Sequence, residues 1–463
     1  MVSNALISMY SKCGMLQKAQ QLFEQIPVQD VVSWNAIITG HVQNGLTNEA
    51  LKCFFRMESE GVLADEVTYI CILKACCTVE SLEIGQTIDA KVREQGLLEK
   101  NVILGNALVR MYSECGAPEA ARDVFESLPL WDTVSWNALV AGYIQNGLCD
   151  EALKFFLSMQ NEGVCPDVVT YICVLKTCGI IASLEIVEFI DAKIRTQGLL
   201  AEDVVLANPL VHMYCECGTI EKARDVFGMI PMRDVVSWNA LPTGYTHNGL
   251  GHVALECFRE MQNEGVCPNV VTYVCILKAC GIVGSLDTGE VIDAEVRKQG
   301  LLNNDVVLGN ALVDMYAKCG MLKKAQEVFK ELPERNVVSW IALIAGYGQS
   351  GHANLILDIY NRMRTEDVVP NLATFNVLLN ACSHAGLLEE GEKFFDEMYA
   401  VYCLTPQIEH YTCMIDLFGR AGCIDKVKIL LDKVPHSDHL PFFRSILGSC
   451  RKWMNLKLGR WAF

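Results

Sequence analysis

A 102-residue period constrains this chain more than any other feature. Val32-Ser33-Trp34-Asn35 returns as Val134-Ser135-Trp136-Asn137, as Val236-Ser237-Trp238-Asn239 and, altered at its last place, as Val338-Ser339-Trp340-Ile341. Asn4-Ala5-Leu6, Asn106-Ala107-Leu108 and Asn310-Ala311-Leu312 keep the same spacing, as do Tyr69, Tyr171 and Tyr273. A chain that repeats itself at a fixed period builds by stacking like modules rather than by closing one globular core.

Each block divides into three similar repeats, residues 31–65, 66–101 and 102–132, which are 35, 36 and 31 residues long. Each reads as two helices. In the first, Val32 to Gln43 places Ala36, Ile37 and Ile38 at near-helical spacing. Asn44-Gly45 ends that helix, because both residues tolerate the left-handed conformation of a helix C-terminus. Thr47 suits the N-cap of the second helix, whose apolar stripe is Ala50, Leu51, Phe54 and Met57, and Gly61 closes it. One hairpin cannot bury its apolar face alone. The expected fold is all-α: a right-handed α-solenoid of stacked helix-turn-helix repeats, with the first helices on one surface. Such a surface repeats its positions at a regular rise and suits an extended polymer.

Apolar residues make up 51% of the 463 residues, enough for a continuous core, and no run of 18 or more apolar residues suggests a membrane span. Met1-Val2-Ser3-Asn4 reads neither as a signal peptide nor as an Arg-rich transit segment, and resembles the inside of a repeat, as in a truncated N-terminus. The formal charge of −17 excludes a generic nucleic-acid sponge built on Lys and Arg, and keeps a protein partner in play. The 22 cysteines recur at fixed places, Cys71, Cys173 and Cys275, then Cys76, Cys178, Cys280 and Cys382. That pattern points to small buried hydrophobes in a reducing compartment rather than to disulfides.

The repeats resemble pentatricopeptide repeats. Residues 235–241 (Val-Val-Ser-Trp-Asn-Ala-Leu), with Gly244-Tyr245, Asn248-Gly249-Leu250, Ala254-Leu255 and Gly265-Val266-Cys267-Pro268-Asn269, match that family's standard repeat. Residues 171–178 (Tyr-Ile-Cys-Val-Leu-Lys-Thr-Cys) match its long repeat. Met-Tyr-Ala-Lys-Cys-Gly at 315–320, with Ala325, Val328-Phe329 and Leu332-Pro333, matches its short repeat. The alternation of standard, long and short repeats resembles the plant subclass associated with organellar RNA editing. The resemblance covers residues 1–438 as thirteen repeats, the first lacking one residue, with 439–463 similar to the start of a C-terminal extension. Tetratricopeptide repeats, which bind proteins, are the nearest alternative. Here, however, Gly142 lies six residues after Trp136, farther than that pattern wants, and the repeat lengths cycle.

The resemblance implies single-stranded RNA, pyrimidine-rich, as the ligand. In the family the fifth and last residues of a repeat choose a base and the second packs beside it. Carried over, the base-reading pairs are Asn4 with Asp30, Asn35 with Asp65, Asn106 with Asp132, Asn137 with Asp167, and Asn208 with Asp234, all implying U. Asn239 with Asn269 and Asn310 with Asn336 imply a pyrimidine, and Thr412 with Asp438 implies G. Val32, Ile103, Val134, Val205, Val236 and Val307 are the packing residues. An amide offers both a donor and an acceptor to a base edge, although Asn also serves commonly as a helix N-cap. The implied strand, 5′ end at the N-terminus, reads U-U-x-U-U-x-U-Y-x-Y-x-x-G, with Y a pyrimidine and x unassigned.

Some residues depart from the pattern. Ile70, Ile172 and Val274 at the fifth place of long repeats, and Ile341 in a standard one, cannot hydrogen-bond a base. Pro209 is expected to mis-aim Asn208, and Pro242 to kink its first helix, whereas Pro118 suits a first turn. Lys12 and Lys318 share a place with Glu114 and Glu216, where only the bases could meet phosphate.

No enzyme activity and no cofactor or metal are expected. The chain has neither His-x-Glu nor Cys-x-x-Cys, the zinc signature of a deaminase; Cys215-Glu216-Cys217 reads as structural, and His436-Ser437-Asp438-His439 lacks partner ligands. The reading is a monomeric site-recognition factor for C-to-U editing in a mitochondrion or chloroplast, away from membranes, with a protein partner supplying the deaminase. Trp453 and Trp461 read as packing residues of a final helix. The alternatives are an RNA stability, processing or splicing factor, an acidic protein-binding scaffold, and a decayed gene copy.

Overall fold

A computed structural model describes residues 2–181, 183–202, 204–303 and 305–431. Among them are 27 α-helices, one short 3-10 helix and no strand, so the all-α expectation holds. The described residues form two compact halves, divided between 231 and 232. In the first half the hairpins run from Val2–Lys12 with Leu16–Glu24 to Val204–Glu216 with Ile220–Gly228; in the second, from Val235–His247 with Gly251–Asn263 to Ile408–Ala421 with Ile424–Leu431. Within each half the first helix of every repeat packs on the first helix of the next, forming one continuous layer. The second helices flank that layer, each against its own partner and, in most repeats, the following first helix.

The repeated motif residues make these junctions. Trp34, Trp136 and Trp340 are buried and meet Phe23, Phe125 and Phe329 of the preceding short repeat edge-on, with ring centroids 4.6, 4.8 and 4.7 Å apart. The short repeats 102–132 and 306–336 carry glycine at the place of the tryptophan, Gly105 and Gly309, and space explains it. A Cβ on Gly105 would stand 2.3 Å from Leu128 Cδ2. From long to short repeats the junction is polar: buried Asp89 accepts the Tyr112 hydroxyl at 2.9 Å and pairs with Arg93. Asp191 with Tyr214 and Asp293 with Tyr316 repeat this at 2.7 Å.

Hairpin turns follow the expectation at the first helix end. Asn44 is the C-cap of Val31–Gln43 and Gly45 takes φ +75°. Thr47 departs from it. The second helix begins at Thr47, and its N-cap is Leu46, which makes no side-chain bond. Leu46 N–H already returns to His41 O, so the turn leaves no place for a polar cap, and Thr47 is buried instead. Both prolines are absorbed: Val204–Glu216 runs through Pro209, and Val235–His247 through Pro242, without a break in either helix.

Cys76, Cys178, Cys280 and Cys382 are buried thiols, and burial pushes each up to about 12. Among the described residues the cysteines form no disulfide. No described helix is long and apolar enough to cross a membrane. Asp438, the 439–463 segment and its two tryptophans lie outside the described residues.

Candidate functional site

In most described repeats the last residue caps the first helix of the next. Asp30 accepts from Ser33 N–H at 2.8 Å, Asp65 from Thr68 N–H at 2.9 Å, Asp132 from Ser135 N–H at 2.7 Å and Asp167 from Thr170 N–H at 2.9 Å. Asp234, Asn269 and Asn336 do the same for Ser237, Thr272 and Ser339. These helices begin with a free backbone N–H that a short acidic or amide side chain satisfies. The fifth-place asparagines are therefore not the caps. They lie one turn inside the helix, and the cap is their partner.

Five of the expected pairs are joined. Asn35 Nδ2 donates to Asp65 Oδ1 at 2.9 Å, Asn137 to Asp167 at 3.0 Å and Asn239 to Asn269 at 3.1 Å. In the short repeats the same bond is longer: 3.4 Å from Asn106 to Asp132 and 3.3 Å from Asn310 to Asn336. Among the described residues no hydrogen bond joins Asn4 to Asp30, which serves only its cap. Asn208 and Asp234 belong to different halves. Asn208 Oδ1 is buried without a partner, as are those of Asn106 and Asn310. Thr412 spends its proton on Ile408 O of its own helix, at 2.8 Å.

The carboxylates stay ionised. Burial pushes Asp65 up, but hydrogen bonds from Thr68 N–H, Asn35 and the Thr68 hydroxyl outweigh it and hold Asp65 below the usual carboxylate range. Asp132 and Asp167 follow the same balance. In Asp30 and Asp234 the backbone bond to Ser33 or Ser237 is itself the largest influence, again downward.

In each half, exposed apolar side chains stand beside the pairs. Val32, Ile103, Val134, Val205, Val236 and Val307 are all exposed, Ile103 most at 68%. Val67, Val169, Val271 and Val338 stand at the same second place and are just as open, the least at 52%. Sequence reasoning passed over these four because their repeats carry an aliphatic fifth residue. Their spacing from the caps was the available signal. Long repeats thus keep the packing position while Ile70, Ile172 and Val274 supply no polar group. Asn376, a fifth-place amide in the long repeat 372–407, was also missed; its Oδ1 faces Cys413 Sγ at 3.4 Å.

Lys318 is tied to Asp314 at 2.7 Å, and Glu114 to Arg110 at 2.6 Å. Lys74, Lys176 and Lys278 instead are exposed and make no ion pair among the described residues. Each sits four residues after a long repeat's fifth place, one turn along the same helix face.

The comparisons agree with this architecture. A model described as the PPR repeat family matches residues 29–78, 132–179, 233–281 and 335–384. A second, the PPR repeat, matches 2–31, 205–235, 310–337, 373–400 and 409–438. A mitochondrial pentatricopeptide repeat-containing protein of Arabidopsis thaliana is 36% identical over 99% of this chain and 66% of its own length. A chloroplastic one from the same plant is 33% identical over 99% of this chain and 56% of its own. The chain thus spans between about half and two thirds of these relatives. The crystal structure of the pentatricopeptide repeat protein PPR10 from maize shares the fold, with a TM-score of 0.53 at 18% identity, over 99% of this chain and 77% of that one. With repeat lengths, cap residues and buried tryptophans all in register with those matches, the chain belongs to the plant pentatricopeptide repeat family.

Proposed function

We propose that the chain binds single-stranded RNA one base per repeat and marks a site for C-to-U editing in an organelle, with a second polypeptide supplying the deaminase. One observation carries the reading. Asn35 and Asn137 each hold an amide against a capping carboxylate, beside an exposed valine at the second place, Val32 or Val134. The amide suits the edge of an unpaired base, and the valines of successive repeats suit its faces. A fold needs neither: apolar side chains in a regular exposed row cost solvation unless something covers them.

The overall acidity fits a ligand read by bases more than by phosphates, with Lys74, Lys176 and Lys278 as the local phosphate contacts. The family resemblance supports RNA as the polymer, the mixed repeat lengths support editing, and the mitochondrial and chloroplastic names of the relatives support an organelle. Base assignments are those given above: U where a fifth-place Asn is matched by a last Asp, a pyrimidine where it is matched by a last Asn, and G for Thr412 with Asp438.

A gel-shift with the U-rich strand against a purine-rich strand of equal length tests the binding. Selective retardation of the first supports it; equal or no retardation overturns it. Organellar transcripts compared with and without the protein test the role. Loss of C-to-U conversion at a site downstream of the matching sequence supports editing. Altered ends or splicing with conversion intact would assign the protein to processing instead.

A further inference from the structure

The joined asparagines fall into two classes. In standard repeats the amide is held at both ends. Asn35 Oδ1 accepts from Thr68 Oγ1 at 2.6 Å while Asn35 Nδ2 donates to Asp65 Oδ1. Asn137 with Thr170 and Asn239 with Thr272 repeat this, again at 2.6 Å. The threonines are buried, and each belongs to the following long repeat, three residues after its cap. In short repeats the equivalent residue is Ser135 or Ser339, whose hydroxyl turns to the cap itself, to Asp132 Oδ1 at 2.8 Å and Asn336 Oδ1 at 3.2 Å. Asn106 and Asn310 are left with a buried Oδ1 that nothing meets.

Hydrogen-bond accounting shows what the threonine does. Thr68 Oγ1 accepts from Asp65 N–H at 3.2 Å, so its single proton points onward, with Asn35 Oδ1 nearer than Asp65 Oδ1 at 2.9 Å. Turning the Asn35 amide over would lose that bond and set its oxygen against Asp65 Oδ1. The clamped amide keeps one N–H and one lone pair free, in a fixed order. A base edge offering one acceptor and one donor in the matching order fits it; the reverse order does not. In short repeats the longer amide bond and unmet oxygen leave that order less strongly imposed.

We infer that Thr68 and Thr170 are positioning residues for base reading: each fixes the amide of a standard repeat that ends in Asp, which therefore separates U from C more sharply than the short repeat of Asn106 and Asp132 does. The inference rests on the base-reading role proposed above. It adds a third residue, contributed by the next repeat, to the choice of base, and it divides the readers into clamped and unclamped.

The test uses the full chain and synthetic strands carrying one nucleotide per repeat, varied to U or C at the fourth base (Asn106) or the fifth (Asn137). Thr170→Val removes the hydroxyl at nearly constant shape, and Thr170→Ser keeps it. Wild type is expected to prefer U more strongly at the fifth base than at the fourth. Thr170→Val should cut the fifth-base preference by about fivefold, the worth of one hydrogen bond, and leave the fourth unchanged. Thr170→Ser should restore it. Circular dichroism melting separates lost folding, which would weaken all strands alike. An unchanged fifth-base preference in folded Thr170→Val overturns the inference while base reading stands. A wild type indifferent to U and C at both bases overturns the base-reading role and the inference with it.

Discussion

Asn35 Nδ2 donates to Asp65 Oδ1 at 2.9 Å, joining the fifth place of one repeat to the cap of the next helix. The same oxygen also accepts from Thr68 N–H, so the proposed base-reading pair and the fold share one atom. That coupling separates two substitutions. Asp65→Asn keeps an acceptor for both bonds, as Asn269 does for Asn239 and Thr272. Its stability should change by only a few tenths of a kcal/mol, while its preference for U over C at the second base relaxes toward either pyrimidine. Asp65→Ala loses the cap as well, and should cost about 1 kcal/mol in urea unfolding.

Acid should weaken the array through these caps. Asp65, Asp132 and Asp167 sit below their ordinary value of 3.8 in the folded chain, so the folded state resists protonation more than the unfolded one. Their stabilisation is complete above that value and is lost as pH falls through the lower folded pKa. Their contribution to the melting temperature should be flat from about pH 7 to about pH 5 and fall below about pH 4. Asp65→Asn should flatten that acid limb. An equal acid loss in wild type and variant would remove the cap from the explanation.

Pro242 is a stability deficit that sequence alone exposes and packing sharpens. Its counterparts Ile38 and Ile344 are fully buried at the same place in their helices, so the site accepts isoleucine. Pro242→Ile restores a backbone donor within Val235–His247. A gain of about 2 kcal/mol is expected, somewhat less than the usual interior proline penalty because the helix has already accommodated the ring. Calorimetry should show a higher Tm; an unchanged or lower one would mean that the ring packs better than the lost hydrogen bond.

Lys74, Lys176 and Lys278 should carry the salt dependence of binding. Replacing Lys74 and Lys176 with Ala should weaken all strands alike and lower the slope of log affinity against log salt by about 0.7 per lysine. The base preferences should not move. Replacing Lys318, already paired with Asp314, should change the slope less.

Much of this was legible in the sequence because the repeats print the same physical solution several times. Trp34 and its copies announce the packing of one hairpin on another, and Gly45 announces the turn. That the asparagine is not the cap was not legible: a cap and a base-facing position use the same residue type, and only the helix start at Val31 places Asn35 inside and Asp65 at the boundary. Thr68 was hidden for a different reason. A Thr three residues after Asp reads as half of a capping box, which it is; that its proton reaches back into the previous repeat depends on how the hairpins stack. The lysines are hidden in the sequence by the acidic total, and Lys318, the basic residue that the repeat pattern singles out, has its partner Asp314 one turn earlier on its own helix.

Equilibrium binding to a set of strands, each changed at one base, tests the central claim most directly. Changing U to a purine opposite Asn35 or Asn137 should weaken binding by about tenfold, while changes opposite Ile70 or Ile172 should do far less. Equal affinity for every strand in the set, or a response strongest opposite the long repeats, would contradict it.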